Sequence, residues 1–167
     1  MSAFAGAFGG PDPAAALRRL GFDPAWNEGD LAFAGAVERA PDGGWIACGD
    51  VVLDNAGELR SALGLPGASP LALLAELARA HGADAGRHAL GMYAAAVWLP
   101  AEGRLWLLRD GAGARTMYWT GDATRGWSFA SSPRPLRRAA GVSGDVDPVA
   151  LRDYLTCAFV PGERTMW

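Results

Sequence analysis

The chain has 167 residues, half of them hydrophobic and a fifth charged, which suits one folded domain with a sizeable core and excludes disorder over most of its length. A net charge of −3 with no basic stripe argues against a nucleic-acid module, and no apolar run approaches the roughly 20 residues needed to span a bilayer. Met1-Ser2-Ala3-Phe4 has no charged leader, and two cysteines, Cys48 and Cys157, make neither a disulfide framework nor a four-ligand zinc site, so a reducing cytoplasm is the expected setting. All fifteen basic residues are Arg, so no lysine is present to act as a base or Schiff-base former.

Residues 2–9 alternate small and large, with Phe4 and Phe8 on one face of a predicted strand that Gly9-Gly10-Pro11 ends. Asp12-Pro13, Ser69-Pro70 and Asp147-Pro148 are three copies of one helix-start signal, a capping side chain followed by Pro at the first helical position. They predict helices over 13–20, 70–81 and 148–158. Residues 31–38 and 44–53 read as a hairpin around Pro41-Asp42-Gly43-Gly44, and a short helix is expected over 56–63. Helix 70–81 places Leu71, Leu74, Leu77 and Ala78 on one stripe, with a second short helix over 84–90. Residues 92–99 are continuously apolar, which predicts a central strand buried on both faces, and 104–109 returns from it through Pro100-Ala101-Glu102-Gly103. Two shorter strands follow near 115–120 and 126–131, separated by Gly121-Asp122. Tight connections between neighbouring strands predict an α+β domain of antiparallel sheets packed with helices rather than a doubly wound parallel sheet. The last six residues close no element and read as the start of a connection.

Several side chains have plain structural readings. Gly111 and Gly113 permit a tight turn that Arg109 and Asp110 can satisfy by hydrogen bonding to its backbone. Both cysteines read as buried small hydrophobes. His81 falls at a helix end and His88 on a surface, with no spacing that suggests a triad. Most of the seven Trp read as core, with Trp26 and Trp167 the exposed ones.

Four stretches in order resemble the N-terminal, class II glutamine amidotransferase domain of the asparagine synthetase family. They are the start Met-Ser-Ala-Phe-Ala-Gly-Ala-Phe; Leu53-Asp54-Asn55; the run from Leu90-Gly91-Met92 through Arg109-Asp110-Gly111-Ala112-Gly113-Ala114-Arg115 and Tyr118 to Phe129-Ala130-Ser131-Ser132; and Asp147 to Thr165, including Tyr154-Leu155 and Val160-Pro161-Gly162. The resemblance implies an αββα sandwich of the N-terminal-nucleophile (Ntn) hydrolase type. It puts that domain at 1–146 and the start of a connection into an ATP-using synthetase domain at 147–167, with Asn55, Arg109, Asp110, Gly113 and Arg115 as structural motif residues.

An active glutaminase of this class uses an N-terminal cysteine thiol, an Asn side chain and a Gly amide to hold the oxyanion, an Arg to clamp the substrate carboxylate, and a Gly-Asp pair for the amine. Here Ser2 stands at the nucleophile position, Asp50-Val51 at the oxyanion pair and Gly91-Met92 at the amine-binding pair, while residues 31–39 hold no counterpart of the Arg-bearing strand. A carboxylate at the oxyanion position would repel the developing charge. The resemblance therefore implies an inactive glutaminase-like half of an amide-forming ligase that adenylates a carboxylate, closest in look to lasso-peptide macrolactam synthetases. Expected partners are the synthetase domain, packed on a face including Leu155, Phe159 and Trp167, and a precursor peptide. No cofactor or metal site is expected in these residues. ATP and Mg²⁺ are expected on the synthetase domain, because no Ser-Gly-Gly-x-Asp motif occurs in the 167 residues. The alternatives are an active amidohydrolase or glutamine-hydrolysing asparagine synthetase using Ser2, and a free-standing binding module on the same fold.

Overall fold

A computed structural model describes residues 3–139, 142–162 and 164–166. Local signals set the helix starts. Asp12 accepts the Ala15 amide at 2.8 Å ahead of α1 (Pro13–Leu20), and Ser69 accepts the Ala72 amide at 3.0 Å ahead of α3 (Pro70–His81). Asp147 accepts the Val149 and Ala150 amides ahead of α5 (Pro148–Cys157). Each bond satisfies an amide that the first helical turn leaves without a partner. Helix α2 (Ala56–Leu63) ends at Gly64 in the left-handed conformation.

The strands are β1 (Ala5–Phe8), β2 (Trp26–Glu28), β3 (Leu31–Ala34), β4 (Val37–Arg39), β5 (Ile46–Leu53), β6 (Gly91–Leu99), β7 (Arg104–Arg109), β8 (Tyr118–Asp122) and β9 (Gly126–Ala130). They form two antiparallel sheets, ordered β2-β3-β1-β9-β8 and β4-β5-β6-β7. Three apolar layers bind the sandwich. One lies between α2, α3 and the four-stranded sheet, one between the sheets, and one between the five-stranded sheet and α1 with α4 (Pro133–Leu136). The predicted α+β sandwich is the observed architecture.

Strand β6 shows why 92–99 is apolar without interruption. Tyr93, Ala95, Val97 and Leu99 pack under α3, while Ala94 and Ala96 face the other sheet. Alanine there leaves room for the large rings opposite. Phe33 and Phe129 stand on the two strands that flank β1, their ring centroids 5.9 Å apart, and both pair in register with Gly6. Gly6 has no side chain because the Phe129 ring occupies that space.

The structure departs from the sequence reading at several places. Residues 31–38 are not one strand: β3 ends at Ala34, and Gly35, at φ +97°, sends the chain to β4 in the other sheet. A Cβ on Gly35 would lie 2.7 Å from the Ala3 carbonyl, so the crossing requires glycine. The hairpin with β5 therefore begins only at Val37. Strand β2 and helix α4 were not expected, being three and four residues long, too short for a periodic signal. The second short helix is a 3-10 segment over Gly82–Arg87. The β8–β9 turn falls after Gly121-Asp122, closed by the Asp122 carboxylate accepting the Thr124 and Arg125 amides. Trp26 is half-buried against Phe33, and the exposed tryptophans are Trp119 and Trp127, while Trp167 lies outside the described residues. Cys48 is buried as expected, but Cys157 is exposed on α5. The His81 and His88 rings stack with centroids 4.0 Å apart.

Candidate functional site

The residues picked out from sequence converge on one end of the sandwich, where β1 begins, β9 and β7 end and β6 starts. Ser2 lies outside the described residues, but the chain just after it is held. The Phe4 amide donates to Ser131 Oγ at 3.2 Å, the Ser131 amide donates to the Phe4 carbonyl at 3.0 Å, and Thr116 Oγ1 donates to the Ser131 carbonyl at 2.9 Å. Sequence reasoning noted Ser131 within a motif and missed this clasp. Its only signal was a pair of serines at the end of a strand.

The loop after β7 is built around one carboxylate. Asp110 Oδ1 accepts the Ala114 amide at 2.8 Å, and Oδ2 accepts the Arg115 amide at 3.0 Å and the Tyr93 amide at 3.3 Å. The Asp110 amide in turn donates to the Tyr93 carbonyl at 2.9 Å, and the Gly113 amide to the Asp110 carbonyl at 3.0 Å. Asp110 is thus buried and satisfied. Burial pushes its pKa up, but the amides of Arg115, Ala114 and Tyr93 outweigh that and hold it below the ordinary value. Arg109 folds over the same loop, donating from Nε to the Arg115 carbonyl at 3.0 Å and from Nη2 to the Gly113 carbonyl at 3.2 Å. Gly113 sits at φ +68°, and a Cβ there would collide with the Arg109 guanidinium. Asn55 ties β5 to β6 from the other side: its Nδ2 donates to the His88 carbonyl at 2.9 Å, and its Oδ1 accepts the Leu90 amide at 3.1 Å. That bond fixes the entry to Gly91-Met92.

Asp50 lies on β5 opposite Ala94, and Val51 opposite Tyr93. The loop delivers Arg115 to Asp50, with Nε 3.1 Å from Oδ2 and both side chains mostly buried. The Nε–H is not aligned with the oxygen as a hydrogen bond, so this contact is Coulombic. Sequence reasoning flagged both residues separately and missed the pair, although their opposite charges were in view. The Asp50 carboxylate offers acceptors, and the oxyanion position that the family resemblance implies for it would need donors. Met92 is partly exposed and presents a thioether, which carries no negative charge for an amine. The one Arg in 31–39, Arg39, ends β4 opposite Ile46, the first residue of β5, and lines a separate cavity of about 570 Å³ with Trp26 and Trp45.

Leu155 lies on α5, and Phe159 follows the helix's C-terminal cap, Ala158. Both are exposed, as are Leu151 and Tyr154. Trp167, the third residue of that face, lies outside the described residues. Among the described residues, no group of three or more His, Cys, Asp and Glu side chains is placed to hold a metal ion, and no helix is long and apolar enough to cross a membrane.

A search of curated proteins finds no match to this sequence. A family model described as a glutamine amidotransferase domain matches residues 56–167, which takes in Asp110 and its loop, Met92 and α5. With that match over two thirds of the sequence and the two-sheet sandwich around it, the chain belongs to the glutamine amidotransferase domain family.

Proposed function

We propose that this domain does not release ammonia from glutamine and serves as the scaffold half of an asparagine synthetase-like, ATP-dependent amide ligase, of the kind that closes a lasso-peptide macrolactam. The observation that carries the reading is Asp50. Its carboxylate occupies the oxyanion position implied by the family resemblance, and Arg115 holds it there at 3.1 Å. A tetrahedral intermediate would meet acceptor oxygens instead of a donor at that point, and losing even one oxyanion donor costs about 3 kcal/mol of barrier. Ser2 in place of a cysteine removes the more acidic nucleophile as well. What remains in this reading is architecture: the Asp110 loop and the Asn55 bridge brace β5, β6 and the end of β7 in one sheet.

In this reading the ligase chemistry, with ATP and Mg²⁺, belongs to a synthetase half that packs on the apolar face of α5. Leu155 and Phe159 support that assignment because a solitary domain gains nothing by exposing them. The test has two arms. The chain incubated with glutamine is expected to release no ammonia above the buffer blank, and release that disappears in Ser2→Ala would overturn the inactive assignment. Association with the synthetase half, followed by calorimetry, is expected to weaken in Leu155→Glu and Phe159→Ser. Unchanged association in both would remove α5 from the interface.

A further inference from the structure

The two sheets differ in width. Among the described residues one has five strands and the other four, and β8 and β7 are free edges on the same side of the sandwich. Trp119 on β8 and Phe129 on β9 are directly paired, so their side chains point to the same face. Phe129 is 1% exposed under the opposite sheet, whereas Trp119 is 62% exposed. One strand spacing, about 4.8 Å, thus carries the inner face from core to solvent. The inward face of β8 extends past β7, with no strand of the described residues opposite it. Trp119 and Trp127 lean together there, ring centroids 5.3 Å apart and planes at 55°. With Phe8, Leu105, Leu107 and Phe129 they line a groove of about 390 Å³. It opens where β1 ends, at the opposite end of that strand from the Phe4–Ser131 clasp.

We propose that an extended peptide segment of another polypeptide adds to β7 as a fifth strand and lays an apolar side chain on Trp119 and Trp127. Strand β7 bonds to β6 along one side and, among the described residues, leaves its other row of amides and carbonyls unpaired by any strand. Only an extended backbone meets such a row and an apolar shelf at once, because its donors lie in the sheet plane while alternate side chains point at the shelf. A second copy of this chain does not fit. Pairing β7 with its symmetry mate would join two four-stranded sheets above two five-stranded ones, and both β8 overhangs would claim the same space. The occupant is therefore a strand without a second layer beneath it. Its charge follows from β7, which begins at Arg104 and ends at Arg109. Arg104 is already ion-paired with Glu102 at 3.1 Å, whereas Arg109 is held by carbonyls, which do not neutralise it. A segment apolar in its middle and acidic at the end beside Arg109 complements that pattern. This inference stands whether or not the domain hydrolyses glutamine.

The probe is a fluorescein-labelled peptide, Asp-Val-Thr-Phe-Thr-Val-Glu, titrated into the full chain by anisotropy and by amide-resolved NMR. Saturable binding is expected below about 1 mM, with amide shifts in 104–109 and at the indoles of Trp119 and Trp127. Trp119→Ala, at an exposed position that leaves the fold intact, is expected to weaken binding about tenfold or more. The same peptide N-methylated at alternate amides keeps its side chains and loses its ladder donors, and is expected not to bind. Failure to saturate at about 1 mM, equal binding of the methylated peptide, or shifts confined to other strands would overturn the proposal. A concentration-dependent dimer abolished by Trp119→Ala would overturn it in favour of self-pairing.

Discussion

Replacing Asp110 by Asn tests whether the loop that carries Arg115 to Asp50 is held by a buried charge. The carboxylate serves three amides through two oxygens, at 2.8, 3.0 and 3.3 Å. A carboxamide has one acceptor oxygen. Set at the Oδ2 position, that oxygen keeps the Arg115 and Tyr93 amides but turns its own NH₂ against the Ala114 N–H. One charge-assisted bond is lost, about 1.5–3 kcal/mol, and two are weakened, so Asp110→Asn is expected to cost about 3 kcal/mol. In a domain of this size that lowers the melting temperature by about 6–12 °C. Urea unfolding at neutral pH measures it as a lower midpoint with an unchanged slope.

The pH dependence gives a second readout with a definite sign. Burial raises the Asp110 pKa, the three amides lower it further than that, and the net value lies below the ordinary 3.8. A depressed carboxyl contributes stability that is whole above its unfolded pKa and is lost as pH falls through the folded one. The gap between parent and Asp110→Asn is therefore expected to be flat from neutral pH down to about 5 and to close in acid, below 3.8. A variant within about 0.5 kcal/mol of the parent at neutral pH, or a gap that widens on acidification, would refute this account of the loop.

One further substitution and one reagent probe the packing. Gly6→Ala puts a methyl group into the Phe129 ring between the two sheets and is expected to destabilise by about 1–3 kcal/mol, read from the urea midpoint with a changed near-ultraviolet aromatic spectrum; an unchanged midpoint would show that the sheets can part at β1. An aromatic disulfide reagent is expected to label Cys157 at once and Cys48 only on unfolding. Cys48 is fully buried, points its thiol at the Ala5 carbonyl and has its pKa pushed up by burial. Two thiols titrating together in the folded protein would contradict that packing.

Local chemistry was legible without coordinates. The three helix starts depend on a side chain and an amide two or three residues apart, so Asp12, Ser69 and Asp147 announce their helices wherever the rest of the chain lies. The continuous apolar run of β6 is equally direct, because a strand covered on both faces leaves no polar positions. So was the turn chemistry of Asp110, whose partners lie mainly within five residues of it. What the order of residues does not carry is which strand lies across from which. The break at Gly35 is invisible in 31–38, since only the second sheet gives the chain somewhere to cross to. Asp50 and Arg115 are 65 positions apart in number and become an ion pair only when β5 and the loop after β7 close on β6. Trp119 has the composition of a core residue, and a sheet one strand narrower than its neighbour is what leaves it in solvent. Burial in a sandwich is decided between layers, and the width of a layer is a property of the fold rather than of any segment in it.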